Sequence, residues 1–255
     1  MSIVVFSDLD GTLLFSKNSL PKSLTVDQCL EAETYANGGH GYMERQLVDY
    51  LKQWSEKHLF IPVTTRSTEQ YERLSPLLKE LAPAFALTSN GGNLYRSGQL
   101  DLNWNQQIKA ELKPELESNG EILRIIERYL PQDSIRKVKE IDNLYYCVLV
   151  VARTWEPNLI QQVNEELSSY GWTSYFQHKK LYFLPAKLSK EGATAKLKAE
   201  LPEGLSFKAL GDTDMDQPML KEQNHHLYFG TDIQKQSGIR TAEYSFEAVK
   251  KLLAE

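Results

Sequence analysis

The feature that most constrains this chain is a recurrence: short, continuous apolar runs each end on polar residues suited to chemistry. Residues 3–7 run into Asp8, residues 59–63 into Thr64-Thr65-Arg66, residues 85–87 into Ser89-Asn90-Gly91-Gly92, and residues 207–210 into Gly211-Asp212. Runs of this length, bounded by turn residues, suit strands buried on both faces of a parallel sheet. Helix-spaced apolar residues lie between them. Leu47, Tyr50, Leu51 and Trp54 predict a helix within 42–57, and Leu74, Leu77, Leu78 and Leu81 predict another behind Ser67, a good N-cap. Alternation of strand and helix predicts an α/β core, doubly wound around a mainly parallel sheet. Such sheets bind ligands at the carboxyl ends of their strands, which is where these polar residues fall.

The alternation lapses after Gly92. A hairpin is expected at 95–102 around Ser97-Gly98, then a helix at 122–129. Strands are expected at 135–141 and 144–152 about the turn signal Asp142-Asn143. A helix at 157–170, opened by Pro157 and closed before Gly171, leads to strands at 172–176 and 180–184. The first pattern then returns, with helices at 191–201, 217–222 and 245–253 and strands at 207–210 and 226–229. The expected organisation is a core of residues 1–93 and 185–255, interrupted by an inserted α+β cap at 94–184.

With 255 residues and 41% hydrophobic content, the chain can bury a sizeable core. Its net charge of -5 gives no electrostatic footprint for nucleic acid. Cys29 and Cys147 are too few for a disulfide framework or a zinc knuckle, and both are expected to be reduced packing residues. None of the five histidines has the partner spacing of a metal site. The N-terminal Met-Ser-Ile-Val-Val-Phe-Ser-Asp lacks a basic, then long apolar, signal, and no stretch approaches membrane-spanning length. The expectation is a cytoplasmic chain, without membrane partners, monomeric or weakly homo-oligomeric.

Four elements carry chemistry. Asp8-Leu9-Asp10-Gly11-Thr12 comes directly after the first strand. Two carboxylates at this spacing invite different roles, one as nucleophile and the other as proton donor and acceptor. Gly11 permits a sharp turn. Gly211-Asp212-Thr213-Asp214-Met215-Asp216 comes after a second core strand and offers hard oxygen ligands of the kind Mg²⁺ prefers. Either cluster alone also suits an ordinary Asx turn or a capped helix start. Two acidic clusters ending two strands of one sheet weigh toward a site. Lys190 supplies a positive point charge near a helix start, with Lys187 competing for that role. The Thr64 hydroxyl and nearby amides can hold a phosphate oxygen, although a lone threonine there also suits a plain helix entry.

In this order the four elements resemble the motifs of the haloacid dehalogenase superfamily of phosphotransferases, and 8–12 is the most specific match. A cap between the second and third motifs, together with Ser89-Asn90-Gly91-Gly92, is similar to the branch holding sucrose-phosphate, Cof-like and mannosyl-3-phosphoglycerate phosphatases and phosphomannomutases. The resemblance implies Asp8 as nucleophile and metal ligand, and Asp10 as general acid and base with its carbonyl on the metal. It implies Thr64 on the transferring phosphoryl group, Lys190 neutralising that group and orienting Asp8, Asp212 on Mg²⁺, and Asp216 supporting the metal or Lys190. The chain departs from the branch in three places. Thr65 replaces a glycine, Glu191 separates Lys190 from Gly192, and Met215 stands where asparagine is common.

The resemblance therefore implies a Mg²⁺-dependent phosphohydrolase of a small phosphorylated metabolite, such as a sugar phosphate, working through an aspartyl-phosphate. A phosphomutase and a non-catalytic sensor of a phosphorylated ligand are the alternatives. Thr65, Arg66, Asn90, Gly91, His178 and Lys180 are the candidate substrate contacts. Arg136, Lys137, Lys139, Arg153 and Lys179 lie on or beside predicted cap strands, where solvated faces are the ordinary use of such residues. Trp155, Trp172 and Tyr175 can stack on a sugar or base, but core packing suits them better.

Overall fold

The computed structural model describes residues 2–35, 38–151, 157–177, 179–230 and 238–255. The chain divides into two compact units, Met1–Asp101 with Lys190–Glu255, and Leu102–Ser189.

The first unit is built on a parallel sheet in the order His225–Tyr228, Ser206–Gly211, Ile3–Ser7, Leu59–Pro62. A parallel bridge between Val63 and Leu87 joins Phe85–Thr88 to this sheet. Val4, Val5, Phe6 and Ser7 are all buried, so no period-2 alternation survives in this strand, as expected for a central parallel strand. Ser7 pairs with Leu210 on one side and Pro62 on the other, so the residues beyond these strands emerge at one edge of the sheet. The core beneath includes Val5, Leu47, Leu51, Phe60, Leu210 and Leu252. Cys29 and Cys147 are both free thiols.

Two expectations change. The helix predicted within 42–57 begins only at Arg45, because His40–Glu44 is a strand. That strand pairs antiparallel with Phe15–Ser16 and Cys29–Thr34 in a three-stranded sheet, so tertiary pairing overrides helical spacing at Tyr42 and Met43. The helix behind Ser67 is split into Thr68–Glu72 and Ser75–Leu81. Pro76 has no N–H to donate, and its ring opposes a continuous helix through Glu72. Ser67 does cap the first piece: its Oγ accepts from the Gln70 N–H at 3.2 Å, and the Gln70 side chain accepts from the Ser67 N–H at 3.0 Å. Beside the cap expected at 94–184, the second compact unit runs over Leu102–Ser189. The hairpin Asn93–Arg96 and Gln99–Leu100 pairs onto Phe85–Thr88, which keeps it with the first unit.

The second unit is a four-stranded antiparallel sheet in the order Trp172–Gln177, Lys180–Pro185, Tyr145–Val150, Ile135–Ile141, with helices that include Asn119–Tyr129 and Pro157–Ser168. Asp142 and Asn143 both take positive φ, 49° and 57°, as a tight two-residue hairpin turn requires. A further helix, Leu102–Glu111, was not expected; it buries Trp104 and Ile108 at a four-residue spacing. No described helix is long and apolar enough to cross a membrane.

Candidate active site

The site is assembled at the carboxyl edge of the parallel sheet. Asp8 is the first residue beyond Ile3–Ser7, and its N–H donates to Leu210 O at 3.0 Å, which extends the pairing of the strands by one step. The chain then turns tightly, with the N–H groups of Thr12, Leu13 and Leu14 all donating to Leu9 O. Gly11 takes φ +92°, and a Cβ placed there would lie 2.1 Å from Asp212 Oδ2. Only glycine meets both conditions, which explains the Asp-Gly-Thr pattern physically. Thr12, not singled out from the sequence, is fully buried between the two acidic clusters. Its hydroxyl stands 3.2 Å from Asp8 Oδ2 and 3.0 Å from Asp212 Oδ1, and its single proton can serve one of them at a time.

Lys190 opens the helix Lys190–Lys198 and is 2% exposed. Its Nζ donates to Asp8 Oδ1 at 2.5 Å and to Asp216 Oδ1 at 2.6 Å. Lys187, the competitor for this role, pairs instead with Glu115 of the second unit at 2.8 Å. Asp216 spends its other oxygen on the N–H groups of Asp212 and Thr213 and on the Thr213 hydroxyl. It therefore braces both Lys190 and the loop that carries Asp212.

One carboxylate oxygen each from Asp8, Asp212 and Asp216 lie within 4.8 Å of one another. Burial pushes the Asp8 carboxyl up to about 6; Lys190 pulls it down, while Asp216 and Asp10 push it up. Burial, then Asp8 and Asp216, hold Asp212 well above the ordinary carboxylate range. For Lys190 burial disfavours the charge, but Asp216 and Asp8 more than offset it, so the ammonium is firmly retained. The cluster thus sets three carboxylates against one ammonium.

Thr64 is fully buried at the next strand end. Its Oγ1 accepts from the Arg66 N–H at 3.2 Å, and its carbonyl accepts from the Asn90 N–H at 3.0 Å. The Ser89 N–H donates to Arg66 O at 2.7 Å. Ser89, Asn90 and Gly91 all take positive φ, so the chain curls back to brace the Thr64-Thr65-Arg66 loop. Thr65 is half-buried beside it.

Asp10 is gripped by Arg66, and its charge is also felt at Asp8. Arg66 donates Nε to Asp10 Oδ2 at 2.6 Å and Nη2 to Asp10 Oδ1 at 2.7 Å. Nη2 also reaches Glu33 Oε1 at 2.5 Å, and Nη1 reaches Gln70 O at 3.1 Å. Four of the five guanidinium N–H groups are engaged in these bonds. Glu33 carried no signal in the sequence, because nothing local marks a partner 33 residues away.

The remaining expected contacts belong to the second unit or lie outside the described residues. Lys180 is exposed at the start of Lys180–Pro185, opposite Gln177. His178, Arg153 and Trp155 fall outside the described residues. Trp172 is a core residue whose indole N–H donates to Glu115 O at 2.9 Å.

Comparison with known proteins fits this geometry. A search of curated proteins finds no match. Among solved structures, the chain is similar to the sucrose-phosphatase of Synechocystis in complex with sucrose and phosphate, with a TM-score of 0.63 at 17% identity over 99% of this chain and 98% of that one. A Streptococcus mutans protein matches with a TM-score of 0.63 at 13% identity over 100% of both chains. The C-terminal domain of C. albicans trehalose-6-phosphate phosphatase matches with a TM-score of 0.57 at 13% identity over 99% of this chain and 90% of that one. At such identities these likenesses establish the fold. The profile of the sucrose-6F-phosphate phosphohydrolase family matches residues 1–237. With the strand-end aspartates and the buried lysine between them, that match makes this chain a member of the sucrose-6F-phosphate phosphohydrolase family, phosphatases of the haloacid dehalogenase superfamily.

Proposed function

We propose that this protein is a Mg²⁺-dependent phosphohydrolase that releases phosphate from a small sugar phosphate through an aspartyl-phosphate on Asp8. The observation that carries the reading is the buried Asp8 carboxylate at a strand end, held by Lys190 at 2.5 Å beside two further aspartates.

The donor set fits a divalent cation. All three groups are hard carboxylate oxygens, and three carboxylates against one ammonium leave two negative charges uncompensated. Burial first, and the neighbouring carboxylates after it, raise the pKa values of Asp8 and Asp212, a cost that a bound cation would offset. Asp8 and Asp212 are the proposed side-chain ligands, with the Asp10 carbonyl. Asp216, already bonded through both oxygens, supports them through Lys190 and the 212–213 amides. When bound, the ion would offset charge on the carboxylates and the phosphoryl oxygens.

In the first step an Asp8 oxygen attacks phosphorus. The bond from phosphorus to the ester oxygen breaks, and the leaving oxygen takes a proton from the Asp10 carboxyl. In the second step water attacks phosphorus, Asp10 takes the water proton, and the bond from phosphorus to Asp8 breaks. Phosphate and the free alcohol are the products. Lys190 favours the ionised, aligned Asp8 carboxylate before the attack and again when phosphate leaves, and Thr64 with nearby amides holds the phosphoryl oxygens. Positioning and charge supply the catalysis, as expected for phosphoryl transfer. The second unit, as a cap, selects the sugar.

Phosphate release should be measured over a panel of sugar phosphates that includes sucrose-6F-phosphate and trehalose-6-phosphate, with Mg²⁺ and with chelator. Release by the wild type that is lost with chelator and in Asp8→Asn is expected. Substantial turnover by Asp8→Asn would remove Asp8 as the nucleophile. A requirement for a bisphosphate activator would move the reading to a mutase.

A further inference from the structure

Glu33 has no part in the chemistry above, yet its carboxylate is completely buried. A buried carboxylate is costly unless it is paired and hydrogen-bonded. Glu33 is paired with Arg66 Nη2 at 2.5 Å through Oε1, while Arg73 Nε stands 3.6 Å from Oε2. Arg66, itself 6% exposed, grips both oxygens of Asp10 on its other edge. Burial opposes the Arg66 charge, and Asp10 and Glu33 more than offset that, so the guanidinium stays charged.

The guanidinium is a rigid planar fork. Glu33 and the Gln70 carbonyl fix its plane, and the fork then sets where the Asp10 carboxylate lies. Asp10 needs this help, since its side chain is 40% exposed. Resting on the phosphatase reading, we infer that Glu33 is a positioning residue for Asp10 that acts through Arg66, and that Arg66 is a clamp on Asp10 and not a ligand of the substrate phosphate. Glu33 comes from Cys29–Thr34, a strand of the three-stranded antiparallel sheet, so this small sheet has a role in placing the proton-transfer group.

The test uses the full chain, with Glu33→Gln and Glu33→Asp, and p-nitrophenyl phosphate as the probe. Its leaving group departs without a proton, so formation of the aspartyl-phosphate does not need Asp10, whereas attack by water does. Glu33→Gln should keep a rapid burst of about one p-nitrophenol per chain while steady-state kcat falls about tenfold or more and KM falls in step, so that kcat/KM stays within about twofold. Glu33→Asp, which keeps the charge but shortens the reach, should recover part of kcat. An unchanged kcat in Glu33→Gln overturns the inference. So does a raised KM with kcat intact, the signature of lost phosphate binding. If Glu33→Gln does not fold, Glu33→Asp must show a smaller kcat loss of the same kind with its burst retained; failure of both to fold marks a structural role and overturns the inference. A wild type inactive on every ester overturns the phosphatase reading itself, and this inference with it.

Discussion

The charge imbalance at Asp8 has a thermodynamic signature that can be measured without any substrate. In chelator, burial holds the folded-state pKa of Asp8 at about 6, against an ordinary 3.8. A group whose pKa is raised on folding adds stability that is complete below its unfolded pKa and is lost as pH rises through the folded one. The window therefore runs from about pH 4 to about pH 7, and a displacement of this size corresponds to about 3 kcal/mol. Other carboxylates, such as Glu80 beside Lys52 and Glu255 beside Arg240, have lowered pKa values and act in the opposite sense. The wild type must therefore be compared with Asp8→Asn by urea denaturation in chelator at pH 4 and pH 7.5. Asp8→Asn should gain on the wild type by about 3 kcal/mol between the two pH values. Saturating Mg²⁺ at pH 7.5 should restore the wild type, by about 2.7 kcal/mol at one hundred times Kd, and help Asp8→Asn much less. A difference that is flat with pH, or that moves in favour of the wild type as pH rises, would show that Lys190 outweighs burial and would refute the argument for a charge deficit.

Two further perturbations test the same geometry. Gly11→Ala forces a Cβ into contact with Asp212 Oδ2 at a φ of +92°, and strain of this kind costs about 1–3 kcal/mol before the clash is counted. Calorimetric titration with Mg²⁺ should show weakened binding in that variant, and unchanged affinity would mean that Asp212 is not a ligand. Lys190→Met leaves Asp8 and Asp216 buried without their ammonium, and breaking such a pair costs about 3–5 kcal/mol. In chelator at pH 7.5 its thermal midpoint should fall by roughly 10 °C, and a loss under about 3 °C would contradict the pairing.

Much of the site was legible because its chemistry sits directly behind strand ends. Asp8, Thr64 and Asp212 each lie just past an apolar run, and position in a parallel sheet turned that into a shared edge. The choice between Lys190 and Lys187 was not legible: both flank the same helix start, and only the fold shows one against Asp8 and the other against Glu115. Glu33 was invisible for a different reason. Its strand reads Cys-Leu-Glu-Ala-Glu-Thr, a composition that favours helix as readily as strand, and pairing with His40–Glu44 decides its conformation. Arg66 was expected to reach the substrate because its motif neighbours suggested a phosphate pocket. Its bonds to Asp10 and Glu33 depend on a strand that no periodicity in the sequence marks.

The span of the bond between Lys190 and Asp8 has a consequence for biosynthesis. These residues are 182 positions apart in the chain, and Thr12 meets Asp212 across 200. A nascent chain therefore carries its nucleophile long before it carries the lysine that balances it or the aspartates that surround it. Contacts of such separation form late and slowly compared with local ones. Any truncation before Asp216 yields a chain with Asp8 but without the loop brace that completes its surroundings.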